Sequence, residues 1–239
     1  MLTNRLFRRA ARIFTRGGFT LVELLVVIGI IAILAGVALG PITSGLKKAK
    51  QNAAVQQSHA IGMAMFAFAN DNNQTYPDTN NPSGNAGTSG AGKVGYALLN
   101  GGYVSDATQF WLSGGTATKF AGTASAAAST ITSSNISFDF ISAGGPATGL
   151  STTVAQYEPL LWNSISAGSE PTLSGTSAIT VTSLPNGSAF GSTGLAVFFC
   201  NESASFVTSV GGTVTLVTTA QNAGTAPSTV SATALEGGD

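Results

Sequence analysis

The 239-residue chain is short of the residues from which most active sites are built. It has a single cysteine, Cys200, so it can form no disulfide with itself. A reactive thiol wants electropositive neighbours, and the charge beside Cys200 is that of Glu202. There is one histidine, His59, and no His/Cys cluster at metal-ligand spacing, which excludes the usual zinc centres and reads His59 as a helix-face residue. No Gly-x-Ser-x-Gly elbow occurs, and the acids are scattered rather than convergent. The chain therefore reads as a non-enzyme with no cofactor and no metal. Charge is equally scarce, at 8% of residues. Five of the ten basic residues (Arg5, Arg8, Arg9, Arg12 and Arg16) sit at the N-terminus, and beyond residue 50 only Lys93 and Lys119 are basic. No basic patch is left to bind a nucleic acid. The low charge also excludes charge-driven disorder. With 30 glycines and much Ser, Thr, Ala and Asn, the composition fits many short strands and turns, or a surface covered by neighbours in a polymer.

What the chain does have is one long apolar run. Phe19 to Leu39 is 21 residues with one charge, Glu23. As a helix at 1.5 Å per residue it spans about 32 Å, enough for a hydrocarbon core of about 30 Å. A soluble helix of this length would show a polar face, and this run has none. The five leading arginines outnumber Lys47, Lys48 and Lys50 behind the run, so the N-terminus is expected in the cytoplasm and the body outside. A cleaved signal peptide, with Gly36-Val37-Ala38 as its site, would have a shorter apolar core. Neither that reading nor a plain anchor uses Glu23. A carboxylate at membrane depth is costly and points to function. Cleavage after Gly18 would free an α-amine on Phe19, and Glu23 of one subunit could pair with that amine on a neighbour.

The basic leader, Gly18, Phe19 and Thr20-Leu21-Val22-Glu23 together resemble the N-terminus of the type IV pilin and type II secretion pseudopilin superfamily. The resemblance implies cleavage between Gly18 and Phe19 by a prepilin peptidase, N-methylation of Phe19, and assembly through Glu23. It implies as partners that peptidase, other pilin or pseudopilin subunits and an inner-membrane assembly platform. The expected fold is α+β: a long N-terminal helix, transmembrane then amphipathic, packed on a small antiparallel β-rich C-terminal body. The expected divisions are a leader at 1–18, a helix at 19–70 with 19–39 in the membrane, and an extracytoplasmic body at 71–239.

Within that frame, Gly40-Pro41 should bend or loosen the helix. From Thr43 to about Asn70, Ala54, Ile61, Ala64, Met65 and Phe68 recur at three- and four-residue steps and should line one face. Lys47, Lys48, Lys50, Gln51, Gln56 and Gln57 should lie mostly away from it, and Asn70-Asp71-Asn72-Asn73 should end it. Asp78 to Gly92 reads as a glycine-rich loop. Asp71 and Asp78 are oxygen ligands of the kind calcium takes, but EF-hand spacing is absent. Tyr96 to Leu112 suggests a short helix, a turn and a strand. Ala121 to Ser134 is low-complexity, with no defined element expected. Strands are expected over Ile136–Ile141, Ser177–Leu184 and Thr213–Thr219, with core at Glu158–Trp162. The clearest hairpin joins Leu195–Cys200 through Asn201-Glu202 to Ser203–Val207. Cys200 reads as a small buried hydrophobe in that apolar strand. The tail from Ala220 is expected to be loose.

That hairpin resembles a pseudopilin-like group whose members carry a histidine, nine residues, then Asp-Gly at the turn. Here Gly191 and Asn201-Glu202 occupy those positions, so any role of the histidine or aspartate does not carry over. The missing intrachain disulfide, which staples many type IV pilins, favours a pseudopilin of a type II secretion system. It would sit in the inner membrane with a periplasmic body and assemble into a short periplasmic filament. The alternative is a type IV pilus subunit or a minor tip adhesin in a surface filament, with Tyr103 or Trp111 as candidate glycan contacts.

Overall fold

In the computed structural model the described residues are 18–78, 90–120, 131–142, 159–163, 179–181, 189–211, 213–217 and 233–235. Residues 1–17 of the leader, most of the Asp78–Gly92 loop and most of the Ala121–Ser134 segment lie outside them. So do Glu158, the flanks of the Ser177–Leu184 strand and most of the tail. The chain separates into two units, Met1–Lys47 and Lys48–Asp239.

One helix, α1, runs without interruption from Leu21 to Asp71. Pro41 offers no N–H to the Val37 carbonyl, yet the helix is not broken there. The hydroxyls of Thr43 and Ser44 donate back to the Gly40 and Pro41 carbonyls, each at 2.9 Å. In the first unit every described residue is exposed. In the second unit α1 buries Gln51, Ala54, Ser58, Ile61, Gly62, Ala64, Met65, Phe68 and Ala69, a stripe at steps of three and four. The five apolar residues expected on that face are all there. Gln51 and Gln57 are corrections: Gln51 is buried, and Gln57 is half-buried with its amide aimed at the carbonyls of Gln109 and Trp111 at 3.4 and 3.2 Å. A long polar side chain can line a buried face when its amide finds carbonyls there. The helix ends as expected. Asn72 donates to the Phe68 carbonyl at 2.8 Å, and Asn73 and Gln74 turn the chain away with φ of 55° and 56°.

The body is antiparallel. Strands β1 (Phe138–Ser142), β2 (Pro159–Asn163), β4 (Gly194–Phe199), β5 (Ala204–Thr208) and β7 (Thr233–Leu235) form one sheet in the order β5-β4-β2-β1-β7. Strands β3 (Ile179–Val181) and β6 (Val214–Val217) form a separate pair. Chain and fold class agree: this is an α+β protein with a long N-terminal helix. Strand β2 is central and buried along its whole length, which explains its unbroken apolar run. Its proline occupies the first strand position, where no ladder N–H is missed. Buried Asp139 stands opposite Trp162 across β1 and β2 and accepts its indole N–H at 3.1 Å. Strand β7 corrects the reading of a loose tail, since Thr233–Leu235 pairs with β1. Likewise Tyr96–Leu112 holds no strand. Helix α2 spans Ala91–Asn100 and is followed by a 3-10 turn at Ala107–Phe110, capped by the Asp106 carboxylate on the Thr108 N–H at 2.8 Å. A glycine-rich start hid the first turn of α2, and its Gly92 and Gly95 are there because Thr132, Ser133, Ile131 and Ile136 press against them.

The helix meets the sheet closely at Gly62. The Phe198 ring lies against Gly62 so tightly that a methyl group on Gly62 would overlap it. His59 and Phe66 then meet the same ring edge-on, with centroids at 5.8 and 6.2 Å. Glycine inside a helix is unfavourable by about 1 kcal/mol relative to alanine, and close packing outweighs that here. Gly62→Ala should therefore destabilise the protein by roughly 1–3 kcal/mol despite its better helix propensity. Thermal unfolding followed by circular dichroism should show a drop, partly recovered in the double variant with Phe198→Leu.

Candidate functional site

The first site is the start of α1. Gly18, Phe19 and Thr20 precede the helix, and Thr20 caps it. The Thr20 N–H and hydroxyl donate to Glu23 Oε2 at 2.9 and 2.7 Å, and the Glu23 N–H donates to Thr20 Oγ1 at 3.2 Å. This reciprocal pattern is a capping box. It gives Glu23 a local role that the sequence reading passed over, although Thr-x-x-Glu ahead of an apolar run is its signature. Both oxygens of Glu23 remain on an exposed residue, so the cap leaves the carboxylate accessible to a second partner.

Beyond that cap, the large apolar side chains from Phe19 to Leu46 are 45% to 79% exposed. Water does not tolerate an apolar surface of that extent. By length and composition α1 can cross a membrane, and none of its most apolar stretch is buried in the protein.

Comparison with known proteins agrees with this geometry. Residues 14–39 match the prokaryotic N-terminal methylation motif. At its N-terminus the chain is thus similar to type IV pilins. It is 30% identical over 92 residues to the type IV major fimbrial protein FimA of Dichelobacter nodosus. That match covers 38% of the chain and 58% of the relative, so the chain spans under two thirds of the curated relative it matches. No solved structure matches. An exposed apolar helix at the N-terminus is the membrane-anchoring element typical of such proteins.

The remaining candidates fall in the body. The β4–β5 hairpin forms as expected, with Phe198 opposite Ala204. The Phe199 N–H donates to the Ser203 carbonyl at 2.9 Å and the Glu202 N–H to the Phe199 carbonyl at 3.0 Å. Glu202 has φ of 63°, the left-handed position that closes such a three-residue loop and that glycine adopts freely. That is the place where the resembling group carries glycine. Cys200 corrects the expectation of a buried strand residue: it lies in the turn, half-buried, and packs on the core. Beneath it Tyr76 is buried, and its hydroxyl has no hydrogen-bond partner among the described residues. Burial pushes the phenol well above its ordinary range, and Cys200 and Glu202 push it further.

The calcium and glycan candidates are already engaged. Asp71 accepts the Tyr103 hydroxyl at 2.8 Å, which raises the Tyr103 phenol. Asp78 is buried. Trp111 is half-buried, donates its indole N–H to the Ala117 carbonyl at 2.9 Å, and has Lys119 over its ring at 5.5 Å. Tyr103 is half-buried with Phe68 against it. These aromatics hold structural contacts within the body.

Two outcomes are expected at the hairpin. Glu202→Gly should stabilise the protein by about 1 kcal/mol, because left-handed backbone costs a side chain roughly 1–2 kcal/mol; urea titration reads the gain. Tyr76→Phe forfeits no hydrogen bond, so neutral-pH stability should hold within about 1 kcal/mol. A folded phenol raised above its unfolded value of about 10 contributes stability that is complete below that pH and lost above it. A pH series of unfolding curves should thus show the alkaline loss moved to higher pH in Tyr76→Phe.

Proposed function

We propose that the protein is a structural subunit of a filament drawn from the membrane, most directly a pseudopilin of a type II secretion system, and not an enzyme. The observation that carries this is the start of α1: a capped Thr20–Glu23 turn opening an apolar helix whose side chains are exposed. In this reading residues 1–18 are a leader, 19–39 the membrane span and 71–239 the exported body. Prepilin peptidase cuts between Gly18 and Phe19, Phe19 is N-methylated, and Glu23 pairs with the Phe19 amine of a neighbour. The N-terminus is cytoplasmic and the body periplasmic. The other partners are pilin or pseudopilin subunits and an inner-membrane assembly platform. Contacts that repeat head to tail without closing build a filament, and its growth does the mechanical work of secretion.

A second reading is favoured by the similarity to a fimbrial protein: a type IV pilus subunit with the same processing and a surface filament. Against it stands the lone Cys200, which leaves the body without an intrachain disulfide. The tip-adhesin variant has less support, since the polar groups of Tyr103 and Trp111 bond to the body itself.

Intact-mass analysis and N-terminal sequencing of the protein from native membranes should give a mature chain starting at methylated Phe19. A chain that retains Met1 or begins near Leu39 overturns the processing. Glu23 needs a sharper comparison, because it also serves the cap. Glutamine can fill the same capping position but carries no charge. Glu23→Gln should therefore abolish filaments as fully as Glu23→Ala if the charge pairs with Phe19. Filaments of native abundance in Glu23→Gln would reduce Glu23 to a helix cap.

A further inference from the structure

Behind the apolar run stands a basic group that the assembly reading leaves unused. Lys47, Lys48 and Lys50 occupy one turn of α1, and all three are exposed. From Leu24 to Asn70 the chain contains no Asp or Glu, so no acid lies within helical reach of them. Among the described residues none forms a hydrogen bond or ion pair with the three ammonium groups. Their height along the helix is specific. Leu21 to Leu46 rises about 39 Å at 1.5 Å per residue. A bilayer measures about 30 Å across its hydrocarbon and about 40–45 Å with its headgroups. Ile42 and Leu46 continue the exposed apolar surface past Pro41, at 62% and 59% exposure, right up to Lys47. The lysines thus stand where the apolar surface stops, at headgroup depth, and the first residue buried against the body, Gln51, follows them.

We propose that Lys47, Lys48 and Lys50 form a collar that binds anionic phospholipid headgroups and sets the depth at which the subunit waits in the membrane. The inference rests on the reading that α1 spans a bilayer. The acidic surface of a neighbouring copy is a poorer partner. Among the described acids of the body Asp78 and Asp139 are buried, and the exposed Asp71, Asp106 and Glu202 lie on three separate elements. Three lysines within one helical turn match a surface of repeated phosphates better than scattered single carboxylates. Near an anionic surface each lysine contributes about 1 kcal/mol, roughly fivefold in partition.

The test reconstitutes the full chain into nanodiscs of equimolar phosphatidylcholine and phosphatidylglycerol and measures, by mass spectrometry, the lipid retained on detergent exchange. The native chain should hold phosphatidylglycerol in excess over the bulk mixture. The variant Lys47→Gln/Lys48→Gln/Lys50→Gln should lose several-fold of that excess, and the triple arginine variant should keep it. The leader arginines are the same in all three, so the difference belongs to the collar. Equal enrichment in the glutamine variant overturns the collar, as does loss in the arginine variant. Resistance of the same chains to alkaline extraction from membranes is measured in parallel. If the native chain is extracted, the membrane span falls and the collar with it. If it resists extraction and shows no lipid preference, the span stands and the collar alone is wrong.

Discussion

The structure depends on a single helix being able to change what its side chains face without changing its backbone. An α-helix satisfies its own amides and carbonyls, so it can run through hydrocarbon where a loop or open strand cannot. The same self-sufficiency lets α1 continue past Pro41 with hydroxyls from Thr43 and Ser44 bonding back to the helix. Only the side-chain pattern switches. It is apolar all round at first, then becomes a stripe from Gln51 to Ala69 that matches the sheet. The switch occurs across the lysines, the one charged turn between the two patterns.

The body is held by shape more than by charge. Gly62 admits Phe198, and Gly92 and Gly95 admit the segment from Ile131 to Ile136. Polar groups inside the core are used to fix register: Asp139 takes the Trp162 indole, and Asn163 Oδ1 takes the Ala196 N–H at 2.7 Å. In a chain with so few ionic groups, such buried hydrogen bonds are what distinguish one pairing of apolar strands from the next.

Much of this was legible because it rests on local periodicity. The apolar run, the stripe through Ala54, Ile61, Met65 and Phe68, the apolar strands β2 and β4 and the Asn201-Glu202 turn all declare themselves within a few residues. The misreadings have long-range causes. Gln51 and Gln57 look solvent-facing until the carbonyls of Gln109 and Trp111 come into view for Gln57. The first turn of α2 looked like loop because its glycines answer to a segment some forty residues away. Strand β7 has no pattern of its own strong enough to announce pairing with β1. The Thr20–Glu23 cap was local and readable, and was missed because Glu23 already had a more distant explanation.

The approach of Phe198 to Gly62 also orders events in time. The helix that carries one half of the core is made near the start of synthesis, and the strand that closes on it near the end. Until β4 arrives, the stripe from Ala54 to Ala69 is an apolar surface without a cover. Contacts of such high sequence separation form late and slowly. The core between helix and sheet therefore cannot close until β4 has been made. For that interval the open helix face is vulnerable to any other apolar surface it meets.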